Sequence, residues 1–161
     1  MKIKVADYIA NLLSTRGITH VFTVVGGGAM HLNNAFGQHK KLHCIYNHHE
    51  QASAIAAESF AKITNKPAVA CVTTGPGGTN AITGVLCAYQ DNIPLLVISG
   101  QVRYSTTVKS TGLKLRQFGE QESHNVDSIK PMTKYAVMVK NPLDIKYHLE
   151  RAIFEATTGR K

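Results

Sequence analysis

Two apolar, β-type runs enclose an alanine-rich stretch, and this order restricts the folds open to the chain. LHCIY at 42–46 precedes the helix-forming stretch His48–Lys62, and AVACVT at 68–73 follows it. The second run has no polar alternation, which is typical of a strand that is buried on both faces. LLVIS at 95–99 is predicted as a further buried strand. A strand, a helix and a second strand in this order predict a right-handed βαβ unit with parallel strands.

The same alternation continues on both sides of this unit. Strands are predicted at 20–25, 42–46, 68–73, 95–99 and 134–139, and helices at 4–15, 29–36, 49–65, 81–91 and 141–155. We therefore expect an α/β fold of three layers, with a mainly parallel sheet, helices on both faces and a flavodoxin- or Rossmann-like topology. Residues 101–130 are polar and loop-like, and a long irregular segment in a compact domain is often functional. A length of 161 residues fits one domain.

Charge and composition argue against several classes of protein. The net charge is +8, but the densest basic groups, at 39–41 and 109–116, contain no interleaved aromatic residues, so we expect a solvated surface and no nucleic-acid partner. No window has the roughly 18 apolar residues of a membrane span. The first ten residues alternate in polarity, unlike a signal peptide, which predicts a cytoplasmic protein. Cys44, Cys71 and Cys87 lie in apolar segments, where we expect reduced, buried thiols.

Glu50 stands where the strand at 42–46 meets the alanine-rich helix. Small side chains let such a helix pack closely on a sheet, so we expect apolar neighbours that raise the pKa of Glu50. A carboxyl group of raised pKa suits general acid–base catalysis near neutral pH. The simpler alternative is a glutamate that only stabilises the helix dipole.

Ligands of open parallel sheets bind beyond the carboxyl ends of the strands. Four predicted loops emerge there, at 26–28, 47–50, 73–80 and 101–122. Three glycines in the first loop could bring backbone N–H groups to a phosphate, which makes a nicotinamide-binding Rossmann domain a rival hypothesis. The GxGxxG pattern fails, however, because its third glycine position is His31. The three glycines could also do no more than permit a tight turn.

The third loop contains GPGGTN at 75–80, which lacks the lysine of a nucleotide-binding P-loop. Pro76 fixes one φ angle, the following glycines permit close backbone approach, and Thr79 and Asn80 are predicted to cap the next helix. His48 and His49 are adjacent and would point apart in an extended segment, so no metal site is predicted.

Several motifs occur in one order along the chain. They are VFTVVGGGA at 21–29, HEQASAIAAESFAK at 49–62, CVTTGPGGTNAITGVLCAYQDNIPLLVISGQ at 71–101, QE at 121–122 and KPMTKYA at 130–136. Over nearly its whole length the chain resembles the N-terminal, pyrimidine-binding domain of thiamine-diphosphate-dependent enzymes, especially those of the acetolactate synthase large-subunit family.

The resemblance implies that Glu50 is the catalytic glutamate. Its carboxyl group would bond N1′ of the aminopyrimidine of thiamine diphosphate and so promote loss of the thiazolium C2 proton. The implied substrate is a 2-oxo acid such as pyruvate. By the same resemblance Gln121 is an active-site residue, and the cofactor-binding positions are Gly28, Glu50, Thr73, Pro76 and Asn80.

The same resemblance bears on what surrounds this domain. Enzymes of the family have three domains, and the GDG…NN motif that holds the cofactor's metal is absent here. Residues 1–161 are therefore expected to be an N-terminal fragment, inactive alone, of a larger homo-oligomeric enzyme. Mg²⁺ would bind through a domain outside this sequence. The resemblance also allows FAD to bind to the complete enzyme. A non-catalytic subunit that completes a partner's site is the remaining alternative.

Overall fold

Four parallel strands form the central sheet of the computed structural model, which describes residues 2–160. They lie in the order β2-β1-β3-β4, and Phe22 of β1 aligns with Ile45 of β2 and with Ala70 of β3. The strands are β1 (His20–Thr23), β2 (His43–Tyr46), β3 (Ala68–Val72) and β4 (Leu95–Ser99). Parallel pairing and this strand order confirm the predicted α/β fold.

Helices cover both faces of the sheet. One face carries α1 (Val5–Thr15), α2 (Met30–Gln38) and α8 (Ile145–Thr157), and the other carries α3 (Glu50–Thr64) and α5 (Ile82–Asp91). The short helices are α4 (Pro76–Asn80), α6 (Val108–Thr111) and α7 (Asn125–Ile129), and 3₁₀ turns occupy Gly27–Ala29, Tyr104–Thr106, Lys130–Met132 and Pro142–Asp144. Within residues 2–160, no helix is both long enough and apolar enough to cross a bilayer.

The central strand β3 joins two hydrophobic cores. Val69 and Cys71 face the core that contains α1, α2 and α8, whereas Ala68, Ala70 and Val72 face the core beneath α3. Every residue of β3 is fully buried, which confirms the prediction of burial on both faces. A fully buried valine side chain contributes about 1.5–3 kcal/mol to folding, so this strand is the main anchor of the three layers.

The strand predicted at 134–139 is wrong, because these residues form no strand. Side chains tie the segment to α8 instead. Lys134 Nζ donates to the carbonyl oxygen of Thr158 at 2.7 Å, and the Tyr135 hydroxyl contacts the ring of His148. The segment therefore lies beside the sheet without joining its hydrogen-bond ladder.

The outer edge of β4 is consequently open. A largely apolar cavity of about 620 Å³ lies between β4 and the segment at 134–140. Leu95, Val97 and Ile98 are only half-buried, so the prediction of a further buried strand is wrong for β4. The apolar composition of residues 95–99 correctly predicted a strand. Burial of its side chains would also require a neighbouring segment on the outer edge of β4, and the described residues do not place one in contact there.

The three cysteines differ in burial. Cys71 is buried, and burial raises the pKa of its thiol to about 12. Cys44 is half-buried, whereas Cys87 is exposed, so the prediction of burial is wrong for Cys87, which lies on the solvent-facing side of α5. All three thiols are free.

The alanine-rich helix α3 packs closely against α5. A Cβ atom added to Gly84 of α5 would lie 2.5 Å from the Cβ of Ala54 and 2.8 Å from the backbone nitrogen of Ile55. Ala54 and Ala57 are fully buried beneath this contact. The small residues of α3 and α5 therefore set the separation of the two helices.

We expect Gly84→Ala to lower the free energy of unfolding by about 1–3 kcal/mol, because overpacking at this contact outweighs the better helix propensity of alanine. The matched control is Gly37→Ala in α2, where the new Cβ would meet only the exposed Tyr46 hydroxyl, at 3.1 Å. Urea unfolding of both variants checks this. Equal stability of the two variants would contradict close packing at Gly84.

Candidate active site

Four loops meet at the carboxyl edge of the sheet. Because all four strands are parallel, the segments after them leave the sheet on the same side. These segments are the four predicted ones, at 26–28, 47–50, 73–80 and 101–122. The candidate site residues of the sequence lie in these loops or at the helix starts that follow them.

The glycine turn after β1 packs on the end of β3. The N–H of Gly28 donates to Thr73 Oγ1 at 3.1 Å. A Cβ atom on Gly28 would overlap the Thr74 hydroxyl, and one on Gly26 would lie 2.6 Å from Thr73 Cγ2, whereas one on Gly27 would have no neighbour within 4 Å. Two of the three glycines are therefore required by contact with the loop after β3.

Thr74 is a site residue that sequence reasoning missed. Its side chain is buried, and its Oγ1 has no hydrogen-bond partner among residues 2–160. A buried, unpartnered hydroxyl beside the glycine turn can donate a hydrogen bond to a ligand or to a water molecule. The available signal was the position of Thr74 directly before Gly75-Pro76, next to the selected Thr73.

Glu50 is the first residue of α3, which begins one residue later than the helix predicted at 49–65. His49 precedes it as the N-cap, and its Nδ1 accepts the N–H of Gln51 at 3.1 Å. Asn80 Nδ2 donates to Glu50 Oε2 at 3.1 Å. The Asn80 amide therefore fixes the direction of the Glu50 side chain at the start of the helix.

The apolar surroundings expected for Glu50 lie further along the helix. Ala54 and Ala57 face the sheet, whereas Glu50 is half-buried at its edge. Gly77 of the opposite loop lies beside the other oxygen, because a Cβ added there would lie 3.4 Å from Glu50 Oε1. Glycine at this position therefore keeps one face of the carboxylate free of side chains.

The GPGGTN segment forms a helix of its own. Gly75 adopts a positive φ of 57°, and Pro76 is the first residue of the five-residue helix α4. The predicted capping of the next helix by Thr79 and Asn80 is wrong. Thr79 Oγ1 donates to the Pro76 carbonyl oxygen, and the Asn80 side chain turns to Glu50, because α4 places both residues inside a helical turn.

Gln121 reaches the same edge from a distant part of the chain. Its side chain is exposed, and its backbone adopts a positive φ of 56°. Its carbonyl oxygen lies so close to Gly75 that a Cβ atom there would overlap it. Gln121 and the GPGGTN segment therefore form one wall of the site.

Histidines do not form a metal centre in the described part of the chain. His49 is engaged in helix capping, and His48 beside it is exposed. Over residues 2–160, no group of three or more His, Cys, Asp or Glu side chains is arranged to hold a metal ion. The chemical groups around Glu50 are its own carboxylate, the Asn80 amide, the Thr73 and Thr74 hydroxyls and the glycine backbone.

A known protein family matches most of the chain. Residues 3–128 match the family described as thiamine pyrophosphate enzyme, N-terminal TPP binding domain. The matched residues include the glycine turn, Glu50, the GPGGTN segment and Gln121.

Individual relatives are similar to this chain over nearly its whole length. The acetolactate synthase large subunit of Buchnera aphidicola subsp. Schizaphis graminum is 36% identical over 155 residues, which are 96% of this chain and 26% of the relative. That of Haemophilus influenzae is 35% identical over 159 residues, 99% of this chain and 26% of the relative. The chloroplastic acetolactate synthase of Arabidopsis thaliana is 32% identical over 160 residues, 98% of this chain and 22% of the relative. The chain spans about a quarter of the length of these relatives.

We expect Gly28→Ala to destabilise the protein by about 1–3 kcal/mol, because the new methyl group displaces Thr74. Gly27→Ala, one residue away in open space, should change the free energy of unfolding by no more than about 0.5 kcal/mol. Thermal unfolding of the two variants measures the difference. A Gly28→Ala protein as stable as Gly27→Ala would show that the glycine turn is not held against the loop after β3.

Proposed function

Since this chain belongs to the thiamine pyrophosphate enzymes, as an N-terminal TPP binding domain, we propose that it activates thiamine diphosphate in an acetolactate synthase-like carboligase or decarboxylase. The observation that carries the proposal is the Glu50 carboxylate. It stands at the first residue of α3, at the carboxyl edge of the sheet, with one oxygen bonded to Asn80. A carboxylate oriented in this way at a ligand-binding edge suits proton sharing with a basic ring nitrogen.

The residues at this edge fit the pyrimidine end of the cofactor. Gly28 and Gly77 bring the backbone close to the Thr74 and Thr73 side chains, and the Thr74 hydroxyl is buried without a partner in the described chain. A flat heteroaromatic ring needs a backbone-lined surface together with a few oriented polar groups. We assign the pyrimidine end to Gly28, Glu50, Thr73, Pro76 and Asn80.

Glu50 has the acid–base role in this proposal. Its carboxyl group holds a proton at one oxygen and shares it with N1′ of the aminopyrimidine, while the Asn80 amide keeps the other oxygen in place. When bound, thiamine diphosphate supplies a nucleophilic carbon that attacks a 2-oxo acid and stabilises the charge left by decarboxylation. The protein's part is to orient the cofactor and to hold the proton.

Gln121 is proposed to act on the substrate side. Its side chain is exposed at the wall that its backbone forms with Gly75, so it is available to a molecule in the site. The relatives are acetolactate synthases, and we propose a 2-oxo acid such as pyruvate as the donor substrate. An amide can donate to the carboxylate of such an acid without adding charge.

The remaining parts of the site are proposed to come from outside residues 1–161. A diphosphate requires Mg²⁺ and oxygen ligands, and the sequence contains no GDG…NN motif. The relatives are about four times as long as this chain. We propose that the diphosphate and its Mg²⁺ bind to another domain in a homo-oligomer, where FAD could also bind.

Glu50→Gln in the complete enzyme should slow hydrogen exchange at C2 of bound thiamine diphosphate by about 10²–10⁴-fold, the usual contribution of general acid–base catalysis. The amide keeps the shape of the side chain but cannot share a proton with N1′. Proton NMR of the exchange measures the rate. Glu150→Gln is the control, because it removes only the surface ion pair with Arg16. An unchanged rate in Glu50→Gln would rule out this role.

The 161-residue chain alone should bind thiamine diphosphate weakly and should not turn over a 2-oxo acid. Its residues contact only the pyrimidine end in this proposal, whereas most of the cofactor's charge lies on the diphosphate. Calorimetric titration with thiamine diphosphate and Mg²⁺ measures the affinity. Submicromolar, magnesium-dependent binding would show that the diphosphate site lies within this chain.

A further inference from the structure

Glu122 carries a buried carboxylate that has only backbone partners. Its side chain is 9% exposed. Its two oxygens accept the N–H of Val108 at 2.9 and 3.0 Å, and Oε2 also accepts the N–H of Gly119 at 3.2 Å and that of Phe118 at 3.3 Å. None of the ion pairs found in residues 2–160 involves Glu122. Desolvation of this charge is offset by the cluster of N–H donors.

These hydrogen bonds connect two parts of the long loop after β4. The N–H of Val108 lies at the first residue of α6, and those of Phe118 and Gly119 lie ten and eleven positions further on. One carboxylate therefore joins two parts of the loop that have no strand or long helix to order them. The loop is fixed at the residue directly after Gln121.

Gln121 itself needs such support. A non-glycine residue at positive φ is strained, and it persists only where its surroundings hold it. The carbonyl oxygen of Gln121 lies close to Gly75, which also has a positive φ, and it leaves no room for a Cβ atom there. Release of the loop would allow Gln121 to return to an ordinary backbone conformation and to leave the wall of the site.

Asn125 fixes the other side of Gln121. Its Nδ2 donates to the carbonyl oxygen of Gly75 at 3.2 Å, and its side chain fills the space in which a Cβ of Gly78 would lie. The segment at 121–125 therefore contacts the GPGGTN turn at two points. Glu122 lies between these points and faces away from the turn, into the loop.

We propose that Glu122 is a positioning residue that holds Gln121 in its left-handed conformation against the GPGGTN turn. The proposal rests on the function proposed above, in which Gln121 acts on the substrate. Glu122 does not touch the substrate, and its effect on the reaction passes through Gln121.

The chemistry requires a carboxylate at this position. An ionised carboxylate has only acceptors, which match the three N–H groups that converge on it. Glu122→Gln keeps the size of the side chain but turns an NH₂ group toward N–H donors. Glu120→Gln, two residues earlier on the exposed surface, is the matched control.

Amide hydrogen exchange in the 161-residue chain tests the anchoring directly. In Glu122→Gln we expect exchange at Val108 and Gly119 to accelerate at least about tenfold, which corresponds to roughly one lost hydrogen bond. Exchange at Gly77 and Thr79, whose N–H groups bond to the carbonyl oxygens of Thr74 and Gly75, should accelerate as well, because the loop loosens from the turn. Glu120→Gln should leave all four rates unchanged. Unchanged rates in Glu122→Gln would overturn the proposal without reference to any activity.

A double-mutant cycle in the complete enzyme tests whether the effect passes through Gln121. Glu122→Gln alone should lower kcat/KM for the 2-oxo acid by about 10–100-fold, the usual effect of a misplaced catalytic group. In a Gln121→Ala background the same substitution should have no further effect, whereas a general structural role would lower kcat/KM equally in both backgrounds. Equal effects would overturn the proposal.

The two experiments separate this proposal from the function on which it rests. If Gln121→Ala leaves kcat/KM unchanged, the proposed role of Gln121 fails, and the positioning role fails with it. If Gln121→Ala lowers kcat/KM while Glu122→Gln changes neither exchange nor turnover, the positioning role alone is overturned.

Discussion

Parallel pairing on both sides of β3 is the interaction on which the rest of the structure depends. β3 is the buried strand through which β4 joins β1 and β2, and its alternating side chains enter the cores on the two faces of the sheet. Because the neighbouring strands run in the same direction, their loops leave from one edge. This arrangement brings Gly28, Glu50, Thr73 and Gln121 to one region, although 93 positions separate the first from the last.

Small residues are the second constraint. Alanines on α3 and Gly84 on α5 bring these helices together, and glycines at the site let backbones approach threonine side chains and the Glu50 carboxylate. The same property serves the packing of two helices in the first case and the packing of the loops at the carboxyl edge in the second.

Polar groups at this edge are held by partners from other segments. Asn80 orients Glu50, Thr73 accepts the N–H of Gly28, and Asn125 binds the carbonyl of Gly75. Each bond joins two different loops, so the loops support one another. By contrast, β4 has an open edge beside an apolar cavity, and the segment at 134–139 is linked to α8 by side chains alone.

The sequence by itself determined the α/β class, all four strands of the sheet and the five long helices, because hydrophobic period, alanine content and glycine or proline breaks act over a few neighbouring residues. Motif order also singled out Glu50 and Gln121. The tertiary structure alone decided that Asn80 binds Glu50 and does not cap a helix, that Thr74 and Glu122 are buried, and that 134–139 forms no strand. These outcomes depend on partners far away along the chain, and local periodicity carries no information about such partners.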